Sequence, residues 1–237
     1  MLNQYNRKHL KQLNLYFRCL SSVCGEGLLG YYYLVYNFYK GERVWRKSPM
    51  KKALKYWNIT DATSLKERIG WLLEDGFRKE YKDVHARLAA LPQAARRQYV
   101  EASKEEPDYA ELAVVHKMMN QLPTAEIAAL GAGWAIYFCR IGQVYGYLSK
   151  EEAWALKIKA AELLQRSYAG WEDYLTGFTA GSHFMACDHE IKKFVDLRNF
   201  VVALSGYSRF MKKKPEWHIH LYPGNERNAR QQEPVSV

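Results

Sequence analysis

The chain has 237 residues, a net charge of +10 and 4 cysteines. This length can bury a substantial core without disulfides, so the few cysteines and the absence of paired CxxC motifs predict a reducing compartment, for which we expect the cytoplasm. The N-terminus lacks the pattern of a secretory signal. The most apolar run, 28–39, falls short of the ~20 residues that a membrane-spanning helix requires, so we expect no membrane span.

The positive charge is concentrated at both ends of the chain. Residues 1–57 carry 11 Lys and Arg against 2 acidic residues, residues 191–237 carry 9 against 4, and residues 58–190 carry 15 against 19. A basic segment can contact nucleic acid, an anionic membrane surface or an acidic protein, and charge alone does not choose among them.

Helical signals begin near the N-terminus. Apolar residues at spacings of three and four predict an amphipathic helix over 3–24, ended by nearby glycines. The run 28–39 could be a buried helix or a strand, and we favour a helix. Ser48 before Pro49 then predicts a helix that continues to Trp57.

The next helices follow at short intervals. Ser64 with Glu67 predicts a capping box, and the helical pattern continues to about Leu91, breaks at Pro92 and resumes over 93–103. The polar segment 103–108 is the best candidate for an exposed joint.

The second half of the chain predicts longer helices. We expect helices over 107–119 and 123–147, and the second is apolar enough to be central. Ser149 with Glu152 forms another capping box and opens a helix that Gly170 stops.

A further helix from Trp171 carries small residues, among them Gly177, Ala180 and Gly181, that allow a neighbouring helix to approach closely. A last helix is predicted over 189–211. Strand signals are nearly absent. The sequence therefore predicts an all-α fold, a single irregular multi-helix domain.

Two blocks of this pattern carry a family resemblance. The first contains Gly146-Tyr147-Leu148-Ser149, Glu151, Glu152, Ala153, Trp154, Trp171-Glu172 and the Gly181 region, and the second contains Trp57-Asn58-Ile59-Thr60, Leu65, Trp71-Leu72-Leu73 and Gly76. In this order they resemble the bacterial family catalogued as domain of unknown function 1266, over roughly residues 50–190.

The resemblance implies no assigned activity. It suggests an association with bacterial antagonism systems, in which small soluble proteins often neutralise toxins as immunity partners. Arg140 stands where a later Arg of the family pattern is expected. Leu130-Gly131 replaces the Trp-Asp pair that many members carry, so a chemical role of that Asp would be missing here.

We divide the chain into three parts on these grounds. Residues 1–47 form a basic, aromatic-rich helical segment, residues 48–211 the family-like helical domain, and residues 212–237 a C-terminal tail that frays after Tyr222.

The candidate partner-binding residues lie in the basic, aromatic-rich part of the chain. They are Tyr31, Tyr32, Tyr36, Tyr39, Arg43, Trp45, Arg46, Lys47, Lys51 and Lys52. Trp, Tyr and Arg often anchor protein interfaces, and the same mixture can bind single-stranded nucleic acid by stacking and phosphate contacts. A merely solvated surface is the third interpretation.

Other clusters have simpler explanations than chemistry. His183 and Cys187 share a helix face and His189 follows, which makes them weak zinc candidates, but a buried cysteine with two ordinary histidines explains the same residues better. The stretch 217–220 is interpreted as an exposed, partly ordered tail. Acidic pairs at 151–152 and 172–173 suit the first turns of helices. We predict no catalytic residues and no bound cofactor.

The sequence thus predicts a non-catalytic protein that acts through a protein partner, specifically an immunity protein that neutralises a toxin encoded next to it. One alternative is a nucleic-acid-binding protein or RNA-targeting effector that uses the basic termini. Another is an enzyme with a carboxylate, histidine or metal site. The sequence does not indicate an oligomeric state.

Overall fold

The computed structural model describes residues 2–25, 38, 49–186 and 215–223. A 3-10 turn, Leu2–Gln4, precedes helices that we number α1 to α9. Their bounds are α1 Arg7–Ser22, α2 Pro49–Tyr56, α3 Ala62–Glu74, α4 Arg78–Ala89, α5 Gln93–Ala102, α6 Tyr109–Met118, α7 Ala128–Tyr145, α8 Lys150–Ser167 and α9 Trp171–Met185. The described residues contain no strand, and the all-α prediction is confirmed.

Helix α7 is the centre of the fold, as its apolar sequence predicts. It contacts α1, α3, α8 and α9, and side chains on every side of it are buried. A second cluster of buried side chains joins α4, α5 and α6 to the C-terminal half of α9. Because other helices surround α7, side chains on each of its faces are buried within the protein.

Glycines set how closely the helices approach α7. A Cβ atom on Gly131 would lie 2.3 Å from the backbone oxygen of Leu72 in α3. A Cβ atom on Gly181 of α9 would lie 2.7 Å from Cβ of Leu130. The predicted packing role of the small residues on α9 is therefore confirmed, and at Gly131 the backbones of α3 and α7 approach each other directly.

The predicted capping box of α8 is confirmed. Ser149 Oγ accepts a hydrogen bond from Glu152 N at 3.1 Å, and a carboxylate oxygen of Glu152 accepts one from Ser149 N at 2.9 Å. Gly146 lies just before it, at a φ of 76°, in the left-handed conformation that ends α7. This turn is local, which is why the sequence predicts it well.

Two other helix ends differ from the prediction. The cap of α3 is Asp61, whose carboxylate accepts from Ser64 N at 2.8 Å, so the predicted box of Ser64 with Glu67 is wrong by one turn. Asp61 provides the acceptor one turn earlier, and Ser64 Oγ accepts from Asp61 N in return. Gly170 does not stop α8, whose last residue is Ser167 and whose C-cap is Tyr168; Gly170 is the residue before the first turn of α9.

Replacing Ser149 by Ala is expected to lower the free energy of unfolding by about 1 kcal/mol, because the first turn of α8 loses its side-chain acceptor. Urea unfolding of the two proteins measures the difference. The matched control is Ser149→Asp, which keeps an acceptor and should stay within about 0.5 kcal/mol of the unchanged protein. Equal losses in both variants would contradict a capping role.

Residues 215–223 dock onto the helical core. The Trp217 side chain is 6% exposed, and its Nε1 donates to the Tyr168 carbonyl at 2.8 Å. Gln165 Nε2 donates to the carbonyls of Trp217 and Ile219 at 2.9 and 3.0 Å. Tyr5 Oη donates to the Leu221 carbonyl at 3.1 Å.

The interpretation of 217–220 as an exposed tail is therefore wrong for Trp217. Its indole fills a space among the rings of Tyr16, Trp171 and Tyr174. His218 and His220 are exposed, as a surface segment would have them. Apart from Phe38, the predicted element over 28–39 lies outside the described residues, as do the predicted helix over 189–211 and the proposed divisions after residues 47 and 211. These stay predictions.

Candidate functional site

The predicted partner-binding surface is described only in part. Lys51 and Lys52 lie in α2, and the other candidates, from Tyr31 to Lys47, lie outside the described residues. Lys52 and Lys55 are exposed and Lys51 is half-buried. No ion pair within the described part of the chain involves these three lysines. The described part of this surface is thus a short helix that presents positive charge to solvent.

The opposite face of α2 fixes this orientation. Met50, Ala53 and Leu54 are buried in the main core, so the lysines between them must point outward. Just after the helix, the guanidinium carbon of Arg68 stands 5.6 Å from the ring centre of Trp57 and 5.0 Å from that of Trp71. Arg68 of α3 thus places a further positive charge over the rings of Trp57 and Trp71, next to the end of α2.

The zinc candidates are also described only in part. His183 is half-buried on α9, and burial lowers its pKa, with Lys117 acting in the same direction. Cys187 and His189 lie outside the described residues. Among the residues that are described, no group of three or more His, Cys, Asp or Glu side chains could hold a metal ion.

One histidine and carboxylate pair was missed by the sequence analysis. His85 Nδ1 of α4 lies 3.6 Å from a carboxylate oxygen of Glu126, in the turn before α7. Burial raises the pKa of Glu126, while the neighbouring His85 and Lys82 act against that rise. The pair brings together a carboxyl group and an imidazole, the residue types that the enzyme alternative requires, but at 3.6 Å the two atoms are farther apart than in a hydrogen bond. The sequence separates the two residues by 41 positions, and no motif joins them.

A second arrangement that the sequence missed is a pocket of about 670 Å³ between α1, α7 and α8. Cationic side chains from all three helices line it: Arg18, Arg140, Lys150 and Lys157. Its described lining includes no acidic residue. The rings of Phe17, Phe38 and Trp154 form part of its wall. The pocket therefore combines positive charge with aromatic surface; we call it the cationic pocket.

Arg140 is held firmly in this pocket. It is 7% exposed, and its Nη1 donates to Ser21 Oγ of α1 at 2.8 Å. The Ser21 hydroxyl donates in turn to the Phe17 carbonyl. The guanidinium carbon lies 4.3 Å from the ring centre of Phe38. These contacts fix the direction in which the guanidinium points.

Lys157 is buried more deeply, at 4% exposure. Its Nζ donates to the Gln143 side-chain oxygen at 3.4 Å and lies 5.3 and 5.2 Å from the ring centres of Phe17 and Trp154. Burial lowers the pKa of Lys157 to about 8, and the charge on Arg140 acts in the same direction. The ammonium group therefore sits where the protein disfavours its charge.

The fold and this pocket define an all-α protein that encloses a cationic pocket between three helices of its core. Comparison with protein families shows the family to which the chain belongs. Residues 54–212 match the profile of a family described as "Protein of unknown function (DUF1266)", and the chain belongs to this family. The resemblance inferred over roughly 50–190 is confirmed, and the match continues further toward the C-terminus.

Comparison with curated proteins and with solved structures finds no match for the chain. Within the described ranges, no helix is both long enough and apolar enough to cross a membrane.

Proposed function

We propose that this family member is a non-catalytic protein of the cytoplasm that acts by binding a partner protein. The partner is an antagonistic bacterial toxin encoded beside it, which the bound protein neutralises. The observation that carries the proposal is the outward face of α2, where Lys52 and Lys55 are exposed and no acidic residue lies within the helix.

A surface of this kind suits an acidic partner. Exposed charges of one sign attract the opposite sign over about a Debye length, which raises the rate of association. The residues before α2 add Arg43, Arg46 and Lys47 in sequence, together with aromatic side chains of the type that anchors interfaces. Charge would then speed capture of the partner, and the aromatic residues would hold it.

The test is copurification with the product of the neighbouring gene, combined with protection of cells that express that product. We expect stable binding and protection. The double variant Lys52→Glu with Lys55→Glu should slow association on the order of tenfold, because it reverses the sign of the described surface.

The matched control is Lys79→Glu with Lys159→Glu, which reverses two exposed lysines on α4 and α8. It changes the net charge equally and should leave the association rate nearly unchanged. Failure to bind the neighbouring product and to protect cells would overturn the proposal, and equal effects of both double variants would show that α2 is not the contact.

Nucleic-acid binding is the second candidate, favoured by the same exposed lysines. Its signature is affinity for RNA or DNA that falls steeply with salt, since each phosphate contact releases counterions. If the chain binds RNA or DNA in this way, and if the Lys52→Glu and Lys55→Glu variant loses that binding while the control variant keeps it, the partner is a nucleic acid and not a protein.

A further inference from the structure

We propose that Lys157 is a covalent binding site for a small, mainly apolar aldehyde, which its side-chain amine captures reversibly as an imine inside the cationic pocket. The carbonyl carbon of the aldehyde becomes bonded to Nζ, and the rings of Phe17 and Trp154 contact its apolar body. The site is separate from the exposed lysines of α2, so it stands whether or not a protein partner binds there.

The surroundings of Lys157 do not suit an ammonium group. The side chain is 4% exposed, and an ammonium group has three N–H donors that need acceptors once water is removed. Within the described structure, Nζ has one hydrogen bond, to the Gln143 amide oxygen at 3.4 Å, longer than the usual 2.7–3.2 Å of such a bond. The ring faces of Phe17 and Trp154, 5.3 and 5.2 Å away, replace lost hydration only in part. The uncharged amine, which has a free electron pair, is therefore favoured here more than in water.

The pKa of Lys157 agrees with this geometry. Burial lowers it to about 8, and the charge on Arg140 acts in the same direction. At neutral pH about a tenth of such amines are uncharged, about two orders of magnitude more than for an ordinary lysine with a pKa of about 10.4. Desolvation in an apolar pocket and a neighbouring cation are the two means by which proteins make a lysine nucleophilic.

The groups around Lys157 leave its amine available. The charged and titratable residues nearest to it are Arg140 and Cys139 on α7, Arg18 on α1 and Lys150 on α8. Burial raises the pKa of the Cys139 thiol to about 12, so it stays neutral. None of these four groups is an anion at neutral pH, so none of them holds Lys157 in its protonated form.

The walls and the volume indicate the class of ligand. About 670 Å³ is within the range of roughly 300–1,000 Å³ typical of small-molecule pockets. Leu10, Val144 and Leu148 add apolar surface to the two aromatic rings that flank the amine. Because Nζ is deeply buried, the electrophile must be slender at the reacting carbon, which an aldehyde is and a ketone with two substituents is not. An apolar body then fills the space between α1, α7 and α8.

The reaction needs no oxidant, reductant or metal ion. The ammonium form of Lys157 first loses a proton to water, and the electron pair of Nζ then forms a bond to the carbonyl carbon. The carbonyl oxygen takes up a proton to become a hydroxyl group, and Nζ loses one of its two remaining hydrogens. The C–O bond breaks, the hydroxyl group leaves as water with the last hydrogen of Nζ, and a C=N bond remains. The neutral imine removes the cost of an ammonium group in this place, and water reverses the capture.

The test uses benzaldehyde, added at low concentration to the full chain at neutral pH. Borohydride, added after a short incubation, reduces the imine to a stable secondary amine, and peptide mapping by mass spectrometry locates it. We expect Lys157 to be modified at least about tenfold faster than the exposed Lys159, two residues away on α8. In a chain unfolded by urea this preference should disappear, because both lysines are then in water.

Competitive labelling with a trace of acetic anhydride supplies an independent readout, because it reports the uncharged amine at each pH. Labelling of Lys157 should reach half its maximum near pH 8 in the folded chain. In urea the midpoint should move to the ordinary lysine value of about 10.4. A midpoint in the folded chain at the ordinary value would contradict the proposal.

Two variants separate capture from folding. Met is an uncharged side chain of similar length, so Lys157→Met should fold and unfold at or above the temperature of the unchanged protein, while its rapid uptake of benzaldehyde is lost. Lys159→Met should take up benzaldehyde as the unchanged chain does, and so should the Lys52→Glu and Lys55→Glu variant. If Lys157 in the folded chain reacts no faster than Lys159, or if Lys157→Met keeps the rapid uptake, the proposal is wrong.

Discussion

Gly131→Ala is expected to lower the free energy of unfolding by about 3 kcal/mol or more, the upper part of the range for an overfilled core. The added methyl carbon would lie 2.3 Å from the backbone oxygen of Leu72 and 3.3 Å from its carbonyl carbon. Both are backbone atoms in the last turn of α3, so no side-chain rotation relieves the clash. Either α3 must move away from α7 or the helix must bend, and each response opens the main core.

Gly70→Ala is the matched control for this change, because it lies on α3 only two residues from Leu72. Nothing lies within 4 Å of the Cβ position at Gly70. Alanine there should stabilise the protein by up to about 1 kcal/mol, since alanine favours a helix over glycine. Urea unfolding of both variants gives the comparison. A Gly131→Ala protein as stable as the unchanged chain would show that α3 and α7 are not in contact here.

The same contact gives a reason for the departure from the family pattern at Leu130-Gly131. A side chain longer than that of glycine at position 131 would meet the backbone of α3. An aspartate at position 131 of this chain would therefore clash with the backbone of α3 at its present distance from α7.

Trp217→Ala is expected to cost about 3–5 kcal/mol, as the loss of a large buried aromatic side chain does. The indole is 6% exposed, and its ring centre lies 5.2 Å from that of Trp171 and 5.7 Å from that of Tyr174. The change also leaves the Tyr168 carbonyl without its indole donor. Thermal and urea unfolding should both shift.

The control for this prediction is His218→Ala, whose side chain is exposed beside Trp217. An exposed substitution of this kind stays within about 0.5 kcal/mol. If Trp217→Ala is as stable as His218→Ala, residues 215–223 do not belong to the folded core, and the original interpretation of this stretch as a tail would be correct.

The sequence predicts helix ends where their bonds are local. Ser149 and Glu152 cap α8 within four residues, and the pattern identifies them. The same pattern fails at α3, because Ser64 can pair with Glu67 as well as with Asp61, and only the path of the chain decides between them. Local sequence signals therefore predict that a helix is present, but they predict its first residue less accurately.

The burial of charged residues, and of an aromatic residue within a polar stretch, is harder to predict. Trp217 has a lysine run on one side and a Pro-Gly turn on the other, and the rings that enclose it come from α1 and α9. Arg140 reaches Ser21 across 119 residues. A signal did exist for Lys157, which follows Trp154 by three residues and precedes Ala161 by four, and so shares their buried face. The periodicity is thus enough to predict that this lysine is buried, although nothing in the sequence shows which other side chains it meets.

The hydrogen bond from Tyr5 to the Leu221 carbonyl joins positions that are 216 residues apart. Its consequence concerns synthesis. A growing chain that has reached the end of α9 has made every described helix, but it still lacks the indole that fills the space between Tyr16 and Trp171. Those rings stay uncovered until translation passes residue 221 and the segment leaves the ribosome. We therefore expect the core between α1 and α9 to close only after residues 215–223 have been made and have left the ribosome.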